Sequence, residues 1–419
     1  MGLGKTITSL AKIQRDGFDP KYNKLLIICL AGTAKAGKTK DWYDYVKKHF
    51  DIEAKLLIKG SKTNEKLLQS YNHVIISFES SWRIEKAFMK WIDSNTWIIV
   101  DESHKMKTPK SKITKALLNF SKLTKNKLLL SGTPITKGYE DLFTQLKFLG
   151  YDITKKEFYS KYIIEELMEL RTGSSVNRFR KIIGYRNTDE LMDITHKRSV
   201  FVKTEDAYDL PEKTFIPIIV PKTSVYNKFR KERVMDDIVA DSPGQLRLRL
   251  KQLSSNYMGN RDKFFEYGKE KRTALKNLLL ENDQKVVVFY NGVPEAIHIA
   301  EVCKELNRPY SYYNGEIKDL DAIKNPSCKN GVLIGQYKSA STGINLTEAN
   351  IMIFYSPTDQ HEHYAQAIKR IHRIGQHNHC LYYQIIMESS IDPRVYKALE
   401  KGKDYDDALF RYELENNYI

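Results

Sequence analysis

Short runs of consecutive apolar residues recur along this chain, and each is followed by a polar loop and a helical pattern. One series occupies residues 25–30, 73–78, 97–100 and 128–130, and a second occupies residues 286–290, 310–313, 331–334 and 350–354. A continuous apolar run is typical of a strand that helices bury on both faces. Two such series therefore predict an α/β protein with two parallel-sheet lobes.

The spacing of these runs also predicts the domain boundaries. We expect residues 1–150 to form the first lobe, 151–210 a helical insertion, 211–282 a strand plus helical insertion of the second lobe, and 283–419 that lobe itself. Residues 155–192 are predicted to form charged helices with a break at 173–175. Residues 222–251 are predicted to be helical and basic, with arginines that are either solvated surface or nucleic-acid contacts.

The first residues of the chain resemble a phosphate-binding loop. Gly2-Leu3-Gly4-Lys5-Thr6 reproduces the second half of the P-loop pattern G-x-x-x-x-G-K-[ST]. Glycines let backbone N–H groups surround an anion, Lys5 would reach the β- and γ-phosphates, and the Thr6 hydroxyl would bind Mg²⁺. A helix should follow from residue 7 to residue 15, with its positive end towards the phosphates.

This loop lacks its first residues and the strand that normally precedes them. A chance glycine turn therefore remains the alternative for so short a string. If the loop is genuine, the chain is expected to be truncated within the P-loop, through a mis-assigned start or a split gene.

An acidic pair follows the third apolar run. Asp101 and Glu102 come directly after Trp97-Ile98-Ile99-Val100, and ligands of α/β sheets bind at the carboxyl ends of strands. Asp101 would orient hydrated Mg²⁺, and Glu102 would position or deprotonate a water molecule. The alternative is a pair of acidic residues that only caps a helix.

Two arginines near the end of the second lobe are candidates for stabilising a transferring phosphate. Arg370 and Arg373 are three residues apart and would share one face of a helix. Two planar, permanently charged donors on one face suit that role. The alternative is an ordinary cationic helix.

Charge, apolar content and cysteine number indicate which binding partners and which cellular compartment suit this chain. The net charge is +16 and the pI is about 9.3, which favours a polyanionic partner such as nucleic acid. No apolar run reaches the length of a membrane span, and no signal peptide is visible. The four cysteines are scattered, which argues against a zinc site or a disulfide framework and fits a reducing cytosol.

Taken together, the motifs resemble those of the SNF2 family within the superfamily 2 helicase-type motors. The blocks that carry the resemblance follow the order of that family: motif I at 1–6, Ia at 25–42, Ib at 74–78, II at 101–104, III at 130–134, IV at 286–290, V at 341–346 and VI at 366–376. The ending His372-Arg373-Ile374-Gly375-Gln376 is the most specific of these.

The resemblance implies two RecA-like lobes and an ATPase, stimulated by DNA, that uses ATP and Mg²⁺ to move along double-stranded DNA. It assigns Gly343 and Gln376 to nucleotide binding, beside Gly2, Gly4, Lys5 and Thr6. The residues it implies for tracking the phosphate backbone are Thr33, Lys35, Ser77, Thr133, Ser341 and Thr342.

Several positions depart from the family pattern. Lys137 stands where members carry Asn, and residues 356–359 replace an aromatic segment. The compact, lysine-rich chain is expected to be a phage or bacterial member in the host cytosol, with phage or host replication or recombination proteins as candidate partners. An inactive or split-gene fragment that binds nucleic acid, and a DExH-type RNA helicase, remain alternative functions.

Overall fold

The computed structural model describes residues 4–31, 33, 42–57, 62–136, 138–172, 175–202, 209–235, 238–259, 263–341 and 344–416. The chain divides into an N-terminal compact unit, residues 3–203, and a C-terminal unit, residues 204–419. Each unit contains its own parallel sheet, and each is described by itself.

A five-stranded parallel sheet forms the centre of the N-terminal unit. Its strands are β1 (Lys24–Cys29), β2 (Lys55–Leu57), β3 (His73–Ser77), β4 (Thr96–Asp101) and β5 (Lys127–Leu130). The spatial order is β2-β3-β1-β4-β5, and all neighbouring pairs are parallel. Strand β1, predicted to be buried on both faces, lies in the middle. Strand β5 is at an edge, and its side chains are only partly buried.

Helices cover both faces of this sheet. They are α1 (Lys5–Arg15), α2 (Trp42–Phe50), α3 (Lys62–Leu68), α4 (Phe78–Ser81), α5 (Glu85–Trp91), α6 (Lys112–Phe120), α7 (Leu142–Phe148), α8 (Lys155–Tyr162) and α9 (Thr188–His196). Successive side chains of β1 alternate between two hydrophobic clusters, since Leu26 packs with α5 and α6 whereas Ile27 packs with α1 and α2. This alternation is the period of two that a strand imposes.

The insertion predicted to be helical contains an antiparallel hairpin. Strands β6 (Ile163–Thr172) and β7 (Ser175–Tyr185) pair with each other between α8 and α9. The helical prediction for residues 163–185 is therefore wrong. The charges along this segment complement one another across the strands: Glu169 lies opposite Arg178, with an ion pair of 2.7 Å. Cross-strand pairs of this kind stabilise a hairpin, and a count of charges along the chain does not reveal them.

A six-stranded parallel sheet forms the centre of the C-terminal unit. Its strands are β8 (Lys213–Val220), β13 (Val286–Tyr290), β14 (Tyr310–Tyr313), β15 (Val332–Gln336), β16 (Ile351–Phe354) and β17 (Cys380–Met387). The spatial order is β14-β15-β13-β16-β17-β8, again parallel throughout. Two parallel sheets, one in each unit, confirm the predicted α/β class.

The remaining elements of the C-terminal unit are helices and two small hairpins. The helices are α10 (Ser224–Glu232), α11 (Pro243–Ser254), α12 (Glu270–Glu281), α13 (Val293–Glu305), α14 (Asp321–Lys324), α15 (Tyr337–Ala340), α16 (His361–Ile368), α17 (Asp392–Glu400) and α18 (Asp407–Glu415). The hairpins pair β9 (Val234–Met235) with β10 (Ile238–Val239), and β11 (Tyr257–Gly259) with β12 (Phe264–Glu266). Among the described helices of the whole chain, none has the length and apolar character of a membrane span.

The basic segment at residues 222–251 is helical, as predicted, apart from the β9–β10 hairpin. Two of its arginines make contacts within the unit. Arg247 forms ion pairs with Asp359 at 2.6 Å and Asp407 at 2.8 Å, and Arg249 donates to the carbonyl of Gly259. These two side chains stabilise the packing of α11.

Candidate active site

The glycine turn leads directly into α1. Gly4 caps this helix with φ 69° and ψ 25°, a left-handed conformation that glycine adopts without strain. A Cβ at this position would meet no atom within 4 Å, so the backbone angle alone accounts for the preference for glycine. Leu10 and Ile13 bury the other face of the helix. The predicted helix is confirmed, and Lys5 and Thr6 lie in its first turn.

The acidic pair lies where β4 ends. Asp101 is the last residue of the strand, and Glu102 has φ 52° and ψ 52°, which precedes a 3₁₀ turn at Ser103–Met106. A non-glycine residue in this region costs on the order of 1–3 kcal/mol, and such residues cluster at functional sites. This turn places Glu102 Oε1 3.5 Å from Lys5 Nζ.

Lys5 is suited to hold an anion. Its Nζ atom is buried and has no hydrogen-bond partner within the described part of the chain. A buried ammonium group needs a counter-charge or acceptors, and Glu102 at 3.5 Å supplies only part of this. The phosphates of a nucleotide would complete it, because a lysine after a glycine turn offers a point charge to phosphate oxygens. The residues present therefore fit the nucleotide that the sequence predicts.

Asp101 is held by two hydrogen bonds. Trp42 Nε1 donates to Oδ2 and the Glu102 N–H donates to Oδ1, both at 3.0 Å. Burial, followed by the charge of Glu102, raises the pKa of the Asp101 carboxyl, while Lys5 and the Trp42 bond oppose this. Each oxygen keeps a further lone pair for a hydrated cation. Trp42 was not among the predicted site residues, and its position at the start of a helix gave no signal of this role.

A chain of polar contacts connects Glu102 to the turn after β5. His104 Nδ1 lies 3.3 Å from Glu102 Oε2 and 3.3 Å from Ser131 Oγ. Ser131 Oγ in turn accepts a hydrogen bond of 3.0 Å from the N–H of Thr133. The Thr133 hydroxyl is buried without a hydrogen-bond partner among the residues described. These contacts join the acidic pair to the turn at residues 131–133.

Gln145 on α7 bonds to both the turn that begins at Ser103 and the turn that follows β5. Its Oε1 accepts from Ser103 Oγ at 2.9 Å, and its Nε2 donates to the Pro134 carbonyl at 2.7 Å. Nε2 also contacts the Asp141 carbonyl at 3.0 Å, and the side chain is 6% exposed. Sequence reasoning missed this residue, because a glutamine within an amphipathic helix is indistinguishable from a surface residue.

Arg370 and Arg373 lie together in the C-terminal unit, although not on one helical face. Helix α16 ends at Ile368, and both arginines follow in a turn. The Arg370 carbonyl accepts from the N–H of Leu346 and the Arg373 carbonyl from that of Gln376, so the segment after Ile368 is a turn fastened to residue 346 and not a further stretch of helix. Both guanidinium groups donate to the Ile344 carbonyl, from Nη1 at 3.0 Å for Arg370 and 3.5 Å for Arg373.

Gln376 is bonded to the backbone of its own unit. Its Nε2 donates to the carbonyls of Thr347, Ala349 and Ile371. Its Oε1 accepts from the N–H groups of residues 377 and 378. The amide therefore fastens the turn after Arg373 to the segment that follows Ile344, and its role in nucleotide binding stays a prediction.

The residues predicted to track a phosphate backbone have varied surroundings. The hydroxyl of Thr33 donates to the Leu30 carbonyl, and that of Ser77 is buried and caps α4. Ser341 is buried, and its hydroxyl lacks a hydrogen-bond partner within the described residues. Their nucleic-acid contacts remain predictions. Four predicted site residues lie outside the described residues: Gly2, Lys35, Thr342 and Gly343.

Comparison with known proteins gives relatives from several organisms. The chain is 23% identical to "ISWI chromatin-remodeling complex ATPase ISW1" of Saccharomyces cerevisiae, over 94% of this chain and 37% of that protein. It is 25% identical to an "uncharacterized ATP-dependent helicase" of Mycoplasma pneumoniae, over 94% and 38%. It is 21% identical to "DNA repair and recombination protein RAD54" of Oryza sativa, over 95% and 47%. The chain thus spans less than half the length of these relatives.

The matches also include a solved structure and two family models. The "Sulfolobus solfataricus SWI2/SNF2 ATPase core in complex with dsDNA" is 22% identical, with a TM-score of 0.41, over 99% of this chain and 87% of that one. The model of the helicase conserved C-terminal domain matches residues 270–375, and that of the SNF2-related domain matches residues 1–275. The SNF2-related match covers well over half of this chain, and the chain therefore belongs to the SNF2-related family.

Proposed function

We propose that this protein is a DNA-stimulated ATPase that couples hydrolysis of ATP to movement along double-stranded DNA. The observation that carries the proposal is the buried Lys5 ammonium, 3.5 Å from Glu102 and without a hydrogen-bond partner in the described residues. Membership of the SNF2-related family supports the same activity. Names of relatives that contain "ATPase" and "ATP-dependent helicase" agree with it.

Each residue of the N-terminal site has a role in this proposal. Bound ATP with Mg²⁺ would supply the phosphoryl group and the metal charge. Lys5 holds the terminal phosphates, while Thr6 and Asp101 hold the cation. Glu102 positions the attacking water and accepts its proton. Trp42 keeps Asp101 oriented and favours its ionised form.

The arginines of the C-terminal unit would stabilise charge on the transferring phosphate. Arg370 is 4% exposed, and its Nε and Nη1 atoms donate to the carbonyls of Gln366 and Ile344. Arg373 is more exposed than Arg370. We therefore assign phosphate contact chiefly to Arg373 and positioning of the turn to Arg370.

Double-stranded DNA is the proposed track. A net charge of +16 favours a polyanion, and relatives include a protein named for DNA repair and recombination. The contact chain from Glu102 through His104 and Ser131 to Thr133 offers a physical link between hydrolysis and the nucleic acid.

The decisive experiment measures ATP hydrolysis by the full chain with Mg²⁺, alone and with duplex DNA, single-stranded DNA and duplex RNA. We expect the largest stimulation with duplex DNA, and displacement of a triplex-forming strand from a duplex as evidence of movement. Stimulation by RNA alone would support an RNA helicase instead. DNA binding without nucleotide binding would support an inactive fragment, and neither activity would refute the proposal altogether.

A further inference from the structure

A basic groove lies at the base of the β6–β7 hairpin, within the N-terminal unit and distinct from the Lys5–Glu102 site. Its volume is about 660 Å³, and α8 and both hairpin strands line it. The charged lining residues are Lys155, Lys156, Arg180, Arg186 and Glu165. Four cations against one carboxylate give the groove a positive potential that would attract a polyanion.

Two of these cations occupy positions that helix electrostatics disfavours. Lys155 and Lys156 are the first two residues of α8, and both are exposed. The N-terminus of a helix carries partial positive charge, so acidic residues are favoured there and cations are not. The next residue, Glu157, follows the rule by forming a capping box with Thr154. The two lysines therefore gain nothing from the helix dipole, and both exposed cations line the groove.

The opposite wall of the groove, formed by the base of the hairpin, carries two arginines. Arg186 Nη2 donates to the Ile163 carbonyl at 3.2 Å, which fixes the guanidinium at the base of the hairpin. Arg180 is 72% exposed and pairs with Glu165 at 3.5 Å. Tyr159 of α8 is partly buried in the first wall, and Lys155 Nζ lies 4.5 Å from its ring centre. Both walls thus present exposed cations, which suit the phosphate groups of a duplex backbone.

The hairpin is also attached to the turn that follows β5. Tyr185, the last residue of β7, donates a hydrogen bond of 2.8 Å to Glu140 and packs edge-on against Tyr139. Gly138 allows this approach, since a Cβ there would clash with the Tyr185 hydroxyl. The neighbouring Asp141 accepts from the N–H and hydroxyl of Thr136. Hydrogen bonds at Glu140 and Asp141 thus connect the base of the hairpin, which lines the groove, to the turn that contains Thr136.

We propose that this groove binds the phosphate backbone of double-stranded DNA, as a contact additional to the residues predicted from the sequence. The inference rests on the proposed function, because it assumes that the chain acts on DNA. Such a contact is independent of sequence, and it increases the salt dependence of binding.

The test compares two charge-reversal variants of the full chain. Lys155→Glu/Lys156→Glu removes two groove cations and places acidic residues where α8 favours them, so the fold should be maintained. Lys86→Glu/Lys90→Glu is the matched control, with the same change of charge on exposed positions of α5 in the same unit. Fluorescence anisotropy would measure binding of duplex DNA between 50 and 200 mM salt, and a fluorescent ATP analogue would measure nucleotide binding.

We expect the groove variant to bind duplex DNA about tenfold or more weakly than the control, with the slope of log K against log salt reduced by about 2. Nucleotide binding should be unchanged in both. Equal DNA affinity and equal salt slope in the two variants would overturn the groove assignment alone. A parent protein that hydrolyses ATP but does not bind duplex DNA would overturn the assignment together with the proposed track.

Discussion

Lys5 Nζ lies 3.5 Å from Glu102 Oε1, which joins the first turn of α1 to the end of β4. We expect the two residues to differ in what they contribute. Lys5→Ala should weaken nucleotide binding at least tenfold, because it removes the charge that holds the phosphates. Glu102→Gln should retain binding but lower kcat about 10²–10⁴-fold, because the amide cannot accept the proton of the attacking water.

Nucleotide titrations and steady-state ATPase assays would separate the two effects. Lys12→Ala is a suitable control, since Lys12 lies on the same helix and pairs only with Asp16 at the surface. Equal loss of binding in the Lys5 and Glu102 variants would contradict the assigned roles.

Trp42 should influence the pH dependence of activity through Asp101. Burial raises the pKa of the Asp101 carboxyl, and the 3.0 Å bond from Trp42 Nε1 lowers it. Trp42→Phe removes that donor, so the pKa of the Asp101 carboxyl should rise further. Because only ionised Asp101 holds Mg²⁺ well, activity should be lost at a higher pH as the solution is acidified.

The measurement is kcat/KM against pH at a Mg²⁺ concentration below saturation, because saturating Mg²⁺ would mask protonation of Asp101. Trp97→Phe provides a matched control, because Trp97 belongs to the same hydrophobic cluster as Trp42. A shift of the acid limb in both variants, or in neither, would argue against the Asp101 contact as its cause.

Gln145 should couple the Ser103 turn to the turn after β5. Gln145→Leu leaves the buried Ser103 hydroxyl without its acceptor and the Pro134 carbonyl without its donor. We expect a loss of about 1–3 kcal/mol in the free energy of unfolding. Stimulation of the ATPase by DNA should also fall, because the two turns are no longer held together.

A double-mutant cycle with Ser103→Ala isolates the bond between the two side chains. Urea unfolding of both single variants and the double variant should give a coupling energy of about 0.5–1.5 kcal/mol. Additive losses would show that Gln145 acts through the Pro134 and Asp141 carbonyls and not through Ser103.

Helices and strands could be predicted from the sequence where a short stretch of consecutive residues determines them. The apolar runs located most strands, and the glycine turn located α1. Strand β17 was not predicted, because residues 380–387 follow the last motif and lie outside both series of apolar runs. The hairpin at residues 163–185 was misassigned, because its opposite charges meet only across two strands.

The candidate site shows the same division between local and long-range information. Lys5, Asp101 and Glu102 were predictable, since each stands at a fixed place beside a strand or helix end. Trp42 and Gln145 were not, because their roles depend on partners 59 and 42 residues away in the chain. Arg370 and Arg373 were predicted to share a helix, yet that helix ends at Ile368, and the turn after it bonds to Leu346, 24 residues earlier in the chain.

A buried ion pair in the C-terminal unit gives a prediction about stability. Lys271 Nζ lies 2.6 Å from Asp392 Oδ2, with side-chain exposures of 0% and 1%. Asp392 also accepts from Ser254 Oγ at 2.8 Å and from the N–H of Met387 at 3.2 Å. Lys271→Met should cost about 3–5 kcal/mol of unfolding free energy, because it leaves a buried carboxylate without its counter-charge.

The double variant Lys271→Met/Asp392→Asn should be less destabilised than Lys271→Met alone, because the uncompensated charge is then absent and an amide can still accept from Ser254. Chemical denaturation would measure the unmodified chain, Lys271→Met, Asp392→Asn and the double variant. The exposed pair Lys324–Glu348, with both side chains 38% exposed, is the comparison, and Lys324→Met should cost below about 1 kcal/mol. A double variant as destabilised as the sum of its single variants would show that the two buried groups stabilise the unit independently.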